Sequence, residues 1–184
     1  MGEYFKNKYR TVTNRLHDWD YSSEGFYYTT ICTKDRICCL SEIKNNKVYL
    51  FDIGKIVLEE WLKTSKLRAN VFLDDFIIMP NHIHGIIVIE NKESVETQSS
   101  ASLHKGNKNK FGPQIRNLGS IVRGFKAASK KRINTKFNLN FQWQSRFYEH
   151  IIRDEDDYAR IKEYIANNPI DWENDKNHPN NFEK

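Results

Sequence analysis

The stretch "NVFLDDFIIMPNHIHGIIVIE" (residues 70–90) predicts a β-hairpin, because two apolar runs meet at the turn-forming pair Pro80-Asn81. Alternate side chains of a strand point to opposite faces. His82 and His84 therefore leave one face of the second strand, while Ile83 points to the other. A strand histidine often serves only packing, so this pair indicates a functional site only if it has partners elsewhere in the chain.

The segments around this hairpin predict a β-α-β-β-α-β core. A short extra strand at 47–51 fits an accessory hairpin, and a C-terminal helix at 154–169 begins at the capping residue Asp154 and ends at Pro169. This order is typical of an α+β, ferredoxin-like sandwich, in which helices cover one face of an antiparallel sheet. The C-terminal helix, which carries Tyr164, could lie across the free face. The other predicted elements are strands at 25–33, 70–80, 82–90 and 146–153 and helices at 53–67 and 116–136.

Composition limits the class of protein. The 184 residues, 39% of them hydrophobic, fit a single domain spanning 1–184, with a mobile loop at the polar stretch 91–113. The three cysteines include no C-x-x-C pair, which argues against a disulfide framework and favours a reduced, cytoplasmic setting. No apolar run approaches the roughly 18 residues of a membrane span, so we expect no membrane partner.

Charge is unevenly distributed along the chain. The formal net charge is +5, yet residues 97–148 contain eleven Lys and Arg and no Asp or Glu. Such a segment favours a polyanionic partner, most commonly nucleic acid. In the helix predicted at 116–136 the apolar residues form one stripe and the basic residues lie off it. With no acidic residue in that helix, i,i+4 ion pairs cannot account for the charges, although a solvated basic face is the simpler alternative.

The histidine pair could supply two ligands of a catalytic metal site, which usually has three protein ligands. The third ligand must come from elsewhere in the chain: His150 lies on a predicted strand, where it could be a core residue or a group that supports a ligand, and Asn168 offers an amide oxygen instead. Tyr164 and Asn168 are four residues apart, so a helix places the phenol and the amide on adjacent turns. A free tyrosine, with a pKa near 10, is a poor nucleophile unless a metal or a base assists it. Together these residues predict a DNA-strand nuclease that forms a phosphotyrosine bond.

At these residues the chain resembles a known family. "MPNHIH" (79–84) resembles the His-hydrophobic-His motif of HUH nucleases, and "IKEYIANNP" (161–169) resembles the tyrosine helix of the single-tyrosine transposases of insertion sequence 200-like elements. Three longer stretches are similar to the REP-associated tyrosine transposases, the relatives linked to repetitive extragenic palindromes. The likeness runs from Arg15 to Pro179 without the loop. The stretches are "DYSSEGFYYTTICTKDR" (20–36), "LGSIVRGFKAASKKRIN" (118–134) and "FQWQSRFYEHIIRDEDDYARIKEYIANNPIDWENDKNHP" (141–179).

The resemblance implies a role for each motif residue. His82, His84 and Asn168 would be the metal ligands and Tyr164 the nucleophile. The family is a DNA transposase and endonuclease family that cleaves single-stranded DNA, often folded as a hairpin, with Mg²⁺ or Mn²⁺. It leaves a 5′-phosphotyrosine and a free 3′-hydroxyl, and rejoining completes transposition. Because two imidazoles and a neutral amide are a softer ligand set than magnesium prefers, we expect manganese, or another ion that tolerates imidazole, to occupy the isolated protein.

The resemblance also gives the basic helix a DNA-binding role. The wider family forms homodimers, whereas REP-associated members can act as monomers, so both states stay open. Two rivals also stay open: a protein that binds DNA hairpins without cutting them, and a metal-dependent hydrolase of small phosphoesters. From charge alone, the expected phosphate contacts are Arg116, Arg123, Lys126, Lys130, Lys131 and Arg132.

Overall fold

The computed structural model describes residues 4–5, 8–9, 19–90 and 117–181. The predicted mobile loop at 91–113 and the predicted DNA contact Arg116 lie outside these residues. Among the helices of the described ranges, none combines the length and apolar character needed to cross a membrane. The elements are β1 (Tyr4–Phe5), β2 (Lys8–Tyr9), β3 (Gly25–Cys32), β4 (Ser41–Lys44), β5 (Lys47–Leu50), α1 (Asp52–Lys66), β6 (Val71–Ile78), β7 (His82–Ile89), α2 (Leu118–Phe137), β8 (Tyr148–Ile152) and α3 (Glu155–Asn167).

The main sheet has the strand order β6-β7-β3-β8, and every neighbouring pair is antiparallel. The first and last strands of the β-α-β-β-α-β unit are therefore adjacent, and the two strands of the hairpin lie beside them. This arrangement confirms the α+β, ferredoxin-like fold with an added C-terminal helix. The accessory hairpin is also confirmed, since β4 and β5 pair with each other and not with the main sheet.

The two faces of the sheet bury different helices. On β7, Ile83 and Ile87 belong to the larger core, together with Trp61 of α1 and Phe125 of α2. The alternate positions point to the opposite face, where Ile86 of β7 packs in a second, smaller core. That core includes Ile161 and Ile165 of α3. The C-terminal helix therefore covers the face that the histidines share, as the sequence predicted.

Local caps fix where two helices begin. The side chain of Asn117 accepts a hydrogen bond from the Ser120 amide at 2.9 Å, and the Asn117 amide donates to the Ser120 hydroxyl at 3.2 Å. This reciprocal capping box starts α2 two residues after the predicted position. Asp154 accepts from the amide of Asp157 at 2.8 Å, which confirms it as the cap of α3.

Gly85, directly after His84, allows a close helix-sheet contact. A Cβ atom at this position would lie 2.5 Å from Cζ2 of Trp61, whose side chain is fully buried, and 3.1 Å from Cβ of Phe76. The glycine therefore lets the Trp61 ring of α1 rest directly on the strand that carries the histidines.

We predict that Gly85→Ala lowers the free energy of unfolding by roughly 1–3 kcal/mol, because the tightly packed ring cannot move away. Urea denaturation followed by circular dichroism measures this. Gly124→Ala is the matched control, since its Cβ would approach only the flexible end of Arg68 at 2.8 Å and alanine favours the helix. Equal loss of stability in both variants would contradict the packing argument.

Candidate metal and nucleophile site

The two histidines lie at the start of β7, fully buried in the middle of the sheet. The strand register places His82 opposite Cys32 and His84 opposite Thr30 of β3. Their Nε2 atoms are 2.8 Å apart. The Nε2 atoms of both imidazoles therefore point to the same place, which is the arrangement that two histidines need to bind one metal ion.

Asn81 fixes the tautomer of His82. Its amide nitrogen donates to the backbone carbonyls of Asn177 at 2.8 Å and Arg36 at 3.1 Å, which defines how the amide is turned. The remaining amide oxygen lies 2.8 Å from Nδ1 of His82. Because a carbonyl oxygen can only accept, Nδ1 carries the proton and Nε2 keeps a free lone pair. An outer partner of this kind is typical of metal-binding histidines.

His84 has hydroxyl partners instead. Its Nδ1 lies 2.7 Å from the Tyr28 hydroxyl and 2.9 Å from the Thr30 hydroxyl. Without a cation, Nε2 of His84 must donate to the lone pair of His82, so Nδ1 accepts from these hydroxyls. A hydroxyl can also accept, which allows His84 to move its proton to Nδ1 and free Nε2 for a metal.

Burial keeps both imidazoles neutral. It lowers the pKa of His82, which the neighbouring His84 lowers further, and it also lowers the pKa of His84. Metal binding requires the neutral form of histidine, so the protonation state of the pair suits a ligand role.

The segment after α3 brings a charged group to the two neutral imidazoles. Asn168 keeps helical dihedrals (φ −55°, ψ −37°) although Pro169 follows and disfavours them. The amides of Ile170 and Asp171 both donate to the carbonyl of Asn167, which holds the chain in a turn. The chain then passes over the histidines, with the Trp172 ring 5.9 Å from the His82 ring.

Asp175 is the centre of this segment. Its Oδ2 atom lies 3.9 Å from Nε2 of His84, and its other oxygen accepts a hydrogen bond from the Asn177 amide. Burial alone would raise the pKa of Asp175, but the nearby His84 imidazole and the hydrogen bond from the backbone amide of Asn177 hold this pKa well below its usual value. His82, His84 and Asp175 offer one ligand atom each, all within 4.8 Å of one another, so this group could hold a metal ion.

Asn168 lies beside this group as an incompletely bonded amide. Its nitrogen donates to Oδ2 of Asp175 at 3.2 Å, and the residue is buried. Its Oδ1 atom is also buried and has no hydrogen-bond partner among the described residues. A buried, unpaired oxygen is costly, and a cation would satisfy it. With two neutral imidazoles and a carboxylate nearby, the donor set fits a divalent metal.

Tyr164 lies one turn before Asn168 on α3, with its ring 5.3 Å from that of His84. Its hydroxyl donates to Oδ2 of Asp175 at 3.4 Å. Burial and the negative charge of Asp175 raise the pKa of Tyr164 to about 12, so the phenol is protonated at neutral pH. The side chain is still 40% exposed, and it lines an open cleft of about 650 Å³.

The basic helix, α2, lies on the face of the sheet opposite Tyr164. The sheet therefore separates the cations of α2 from the Tyr164 hydroxyl. Two of them have partners: Lys126 donates to the carbonyls of Gln144 at 2.8 Å and Arg146 at 2.9 Å, and Arg132 pairs with Glu59 and Glu60 of α1. Burial lowers the pKa of Lys126 to about 8. The exposed cations of α2 among the predicted contacts are Arg123, Lys130 and Lys131.

Sequence reasoning missed four residues around the histidines. Asn81 and Asp175 lie within stretches that carry the family resemblance, but neither was singled out. A carboxylate after the tyrosine helix was a reasonable third ligand on chemical grounds, although Asp171, Glu173 and Asp175 are indistinguishable by spacing. The other missed residues are Tyr28 and Thr30, which strand alternation places on the histidine face. His150, expected as a core residue or a supporting group, has its Nε2 atom 2.6 Å from Asp157 at the start of α3.

No family model matches the chain. It is 40% identical over 162 residues to an uncharacterized protein of Haemophilus influenzae, covering 88% of this chain and 89% of that protein. It is 29% identical over 154 residues to a second protein of the same organism, named "Putative REP-associated tyrosine transposase", covering 82% of this chain and 73% of that one.

The fold is similar to that of a REP-associated tyrosine transposase whose structure was solved bound to a REP hairpin. The TM-score is 0.59 at 20% sequence identity, over 89% of this chain and 74% of that chain. With the second relative, this similarity confirms the resemblance to REP-associated tyrosine transposases that the sequence motifs indicate.

We predict that Mn²⁺ binding depends on the carboxylate as well as on the imidazoles. His84→Ala and Asp175→Asn should each weaken binding by at least about ten-fold, because each removes a ligand atom or its charge. Isothermal titration calorimetry measures the affinity. Asp171→Asn is the control, since Asp171 lines the same cleft but lies outside the ligand group. Unchanged affinity in Asp175→Asn, with a large decrease in Asn168→Ala, would assign the third ligand to Asn168.

Proposed function

We propose that the chain, which resembles REP-associated tyrosine transposases in sequence and in fold, is a transposase that cleaves and rejoins single-stranded DNA at hairpins. The nucleophile is Tyr164. The metal ligands are His82 and His84 with oxygen atoms from Asp175 and Asn168. The relatives support the class of protein and its DNA partner, and the site residues support the chemistry.

One observation carries this proposal: a single carboxylate joins the nucleophile to the ligand group. Oδ2 of Asp175 accepts from the Tyr164 hydroxyl at 3.4 Å and lies 3.9 Å from Nε2 of His84. A phosphate placed at the phenol oxygen would therefore also be close to the metal ligands. Eight other tyrosines occur in the chain, and a packing role for Tyr164 would not require this shared carboxylate.

The side chains have distinct tasks in the reaction. The phenol oxygen of Tyr164 attacks phosphorus, and the bond from phosphorus to the 3′ oxygen breaks, leaving a 5′-phosphotyrosine and a free 3′-hydroxyl. The phenolic proton leaves along its hydrogen bond toward Asp175 and on to water, and the departing oxygen gains a proton from water. Attack of a 3′-hydroxyl on the phosphotyrosine reverses these changes and joins the strands.

A divalent cation bound here would draw charge off the non-bridging oxygens of the phosphate and stabilise the charge that develops during attack. Imidazole ligands suit Mn²⁺ better than Mg²⁺, while the carboxylate and the amide oxygen suit both ions. We therefore propose manganese as the better cofactor.

We predict that the protein forms a covalent adduct with a labelled single-stranded hairpin DNA in Mn²⁺, and that Tyr164→Phe abolishes it. Denaturing electrophoresis detects the adduct. Tyr158→Phe is the control on the same helix, because the Tyr158 hydroxyl donates to Asp74 and is not part of the ligand group. This variant should retain the adduct.

Each other outcome of that experiment identifies a rival. An adduct that persists in Tyr164→Phe would assign the nucleophile to another tyrosine. Hairpin binding by the parent protein without any adduct would indicate a binding protein. Metal-dependent hydrolysis of small phosphoesters without an adduct would indicate a phosphoesterase.

The exposed cations of α2 remain the proposed binding surface for the hairpin stem. The stem and the scissile strand can bind to different faces of the sheet. We predict that replacing Arg123, Lys130 and Lys131 together by Gln weakens hairpin binding and reduces its salt dependence. The slope should fall by about one unit for each phosphate that the variant no longer neutralises. Fluorescence anisotropy at several salt concentrations measures both. An equal effect from Gln at Lys44, Lys47 and Lys66, exposed cations outside α2, would exclude a specific role for this helix.

A further inference from the structure

The cleft beside Tyr164 has an aromatic wall that the reaction itself does not use. Its volume is about 650 Å³, within the range of small-ligand pockets, and it opens to solvent. Tyr148 of the edge strand β8 lines it with a side chain that is 49% exposed. The Tyr148 and Tyr164 rings both meet the Tyr28 ring edge-to-face, at centroid distances of 6.2 and 6.3 Å. The nucleophile and the exposed ring therefore contact the same buried tyrosine.

Lys176 places a cation next to the Tyr148 ring. Its ammonium nitrogen lies 5.1 Å from the ring centroid, within cation-π distance. The backbone of Lys176 is anchored, since its carbonyl accepts from Nη1 of Arg36 at 2.7 Å. Lys176 is exposed and lines the cleft, whereas its neighbours Asp175 and Asn177 are buried.

We propose that this cleft binds an unpaired nucleotide next to the scissile phosphate, with its base stacked on Tyr148 and its phosphate paired with Lys176. This inference rests on the proposed function, because it takes Tyr164 as the point of cleavage. An exposed aromatic ring with an adjacent cation is how proteins bind single-stranded nucleic acid without reading sequence. A duplex would not fit this mode, since its bases are already stacked on each other.

The position of the cleft explains why a strand would enter it. A phosphate at the Tyr164 hydroxyl is continuous with nucleotides on both sides. Tyr28 and Asn168 are buried and close the inner wall. A strand that leaves the phenol must therefore pass the exposed residues that line the cleft, and of these Tyr148 offers a ring and Lys176 the cation next to it. The proposed site selects for unpaired DNA because only an unstacked base can stack on Tyr148. This selection is independent of any recognition of a hairpin stem.

The test measures binding without cleavage. Full-length protein carrying Tyr164→Phe, in chelator, is titrated into fluorescein-labelled oligothymidylate of ten nucleotides, which cannot pair. Fluorescence anisotropy gives the affinity. Tyr148→Ala should weaken binding about five-fold or more, and Tyr148→Trp should retain it, because the loss of one stacked base has that effect. Lys176→Ala should weaken binding and reduce the salt slope by about one unit.

The accessory hairpin supplies matched controls. Tyr49 has the same exposure as Tyr148, at 49%, and Lys47 is an exposed lysine on the same strand. Neither lines the cleft. Alanine at these positions should leave binding unchanged. Equal losses in Tyr49→Ala and Tyr148→Ala, or no loss in Tyr148→Ala, would overturn the proposal, as would a parent protein that does not bind the oligonucleotide.

A second measurement does not depend on any variant being folded. The parent protein is irradiated with an oligonucleotide containing 5-bromodeoxyuridine, and crosslinked peptides are identified by mass spectrometry. Crosslinks at Tyr148 support the proposal, and crosslinks confined to other parts of the chain contradict it. Because neither assay requires metal or an adduct, failure of the tyrosine chemistry and failure of the binding cleft give different results.

Discussion

The alternation of side chains along β7 is the constraint on which both layers of the molecule depend. Ile83 and Ile87 enter the core beneath α1 and α2, and the same geometry turns His82 and His84 toward α3. A slip of one residue in register would move the isoleucines out of the core and the imidazoles into it. The apolar residues of this strand therefore fix the positions of its histidines, and burial of the core stabilises the site.

Buried polar groups connect that strand to the C-terminal segment. Asn81 has bonds to the turn at Arg36, to the carbonyl of Asn177 and to His82, so one amide joins three separate parts of the chain. Arg36 itself has a positive φ of 53°, an unfavourable conformation for a side chain with a Cβ. Its carbonyl accepts from Asn81 and its guanidinium donates to the carbonyl of Lys176, which keeps the turn in place. These contacts bring Asp175 to the imidazoles.

The basic residues of α2, which lie in the acid-free segment, fall into two groups in the folded chain: some have partners on other elements, and others are exposed. α2 contains no acidic residue. Arg132 nevertheless forms ion pairs with Glu59 and Glu60 of α1, and Lys126 donates hydrogen bonds to backbone carbonyls just before β8. The helical spacing of α2 cannot reveal these partners, because they come from other elements. Charge in the sequence thus overstates the number of cations available to a ligand: among the predicted phosphate contacts that the structure describes, Arg123, Lys130 and Lys131 are the exposed ones.

The sequence determined the element order, the shared face of the two histidines and the placement of Tyr164 and Asn168 on one helix, because each follows from periods of two and 3.6 residues. Helical spacing also places Leu67 on the apolar stripe of α1, but this residue, the C-cap of the helix, is 76% exposed. Only the tertiary structure brought Asp175 to the histidines. The segment that carries Asp175 has no helical or strand periodicity. Its path is set by the hydrogen bond from Asn81 to the carbonyl of Asn177 and by the contact between the Trp172 and His82 rings. Local pattern fixes which face a side chain occupies, whereas long-range contacts decide which groups meet there.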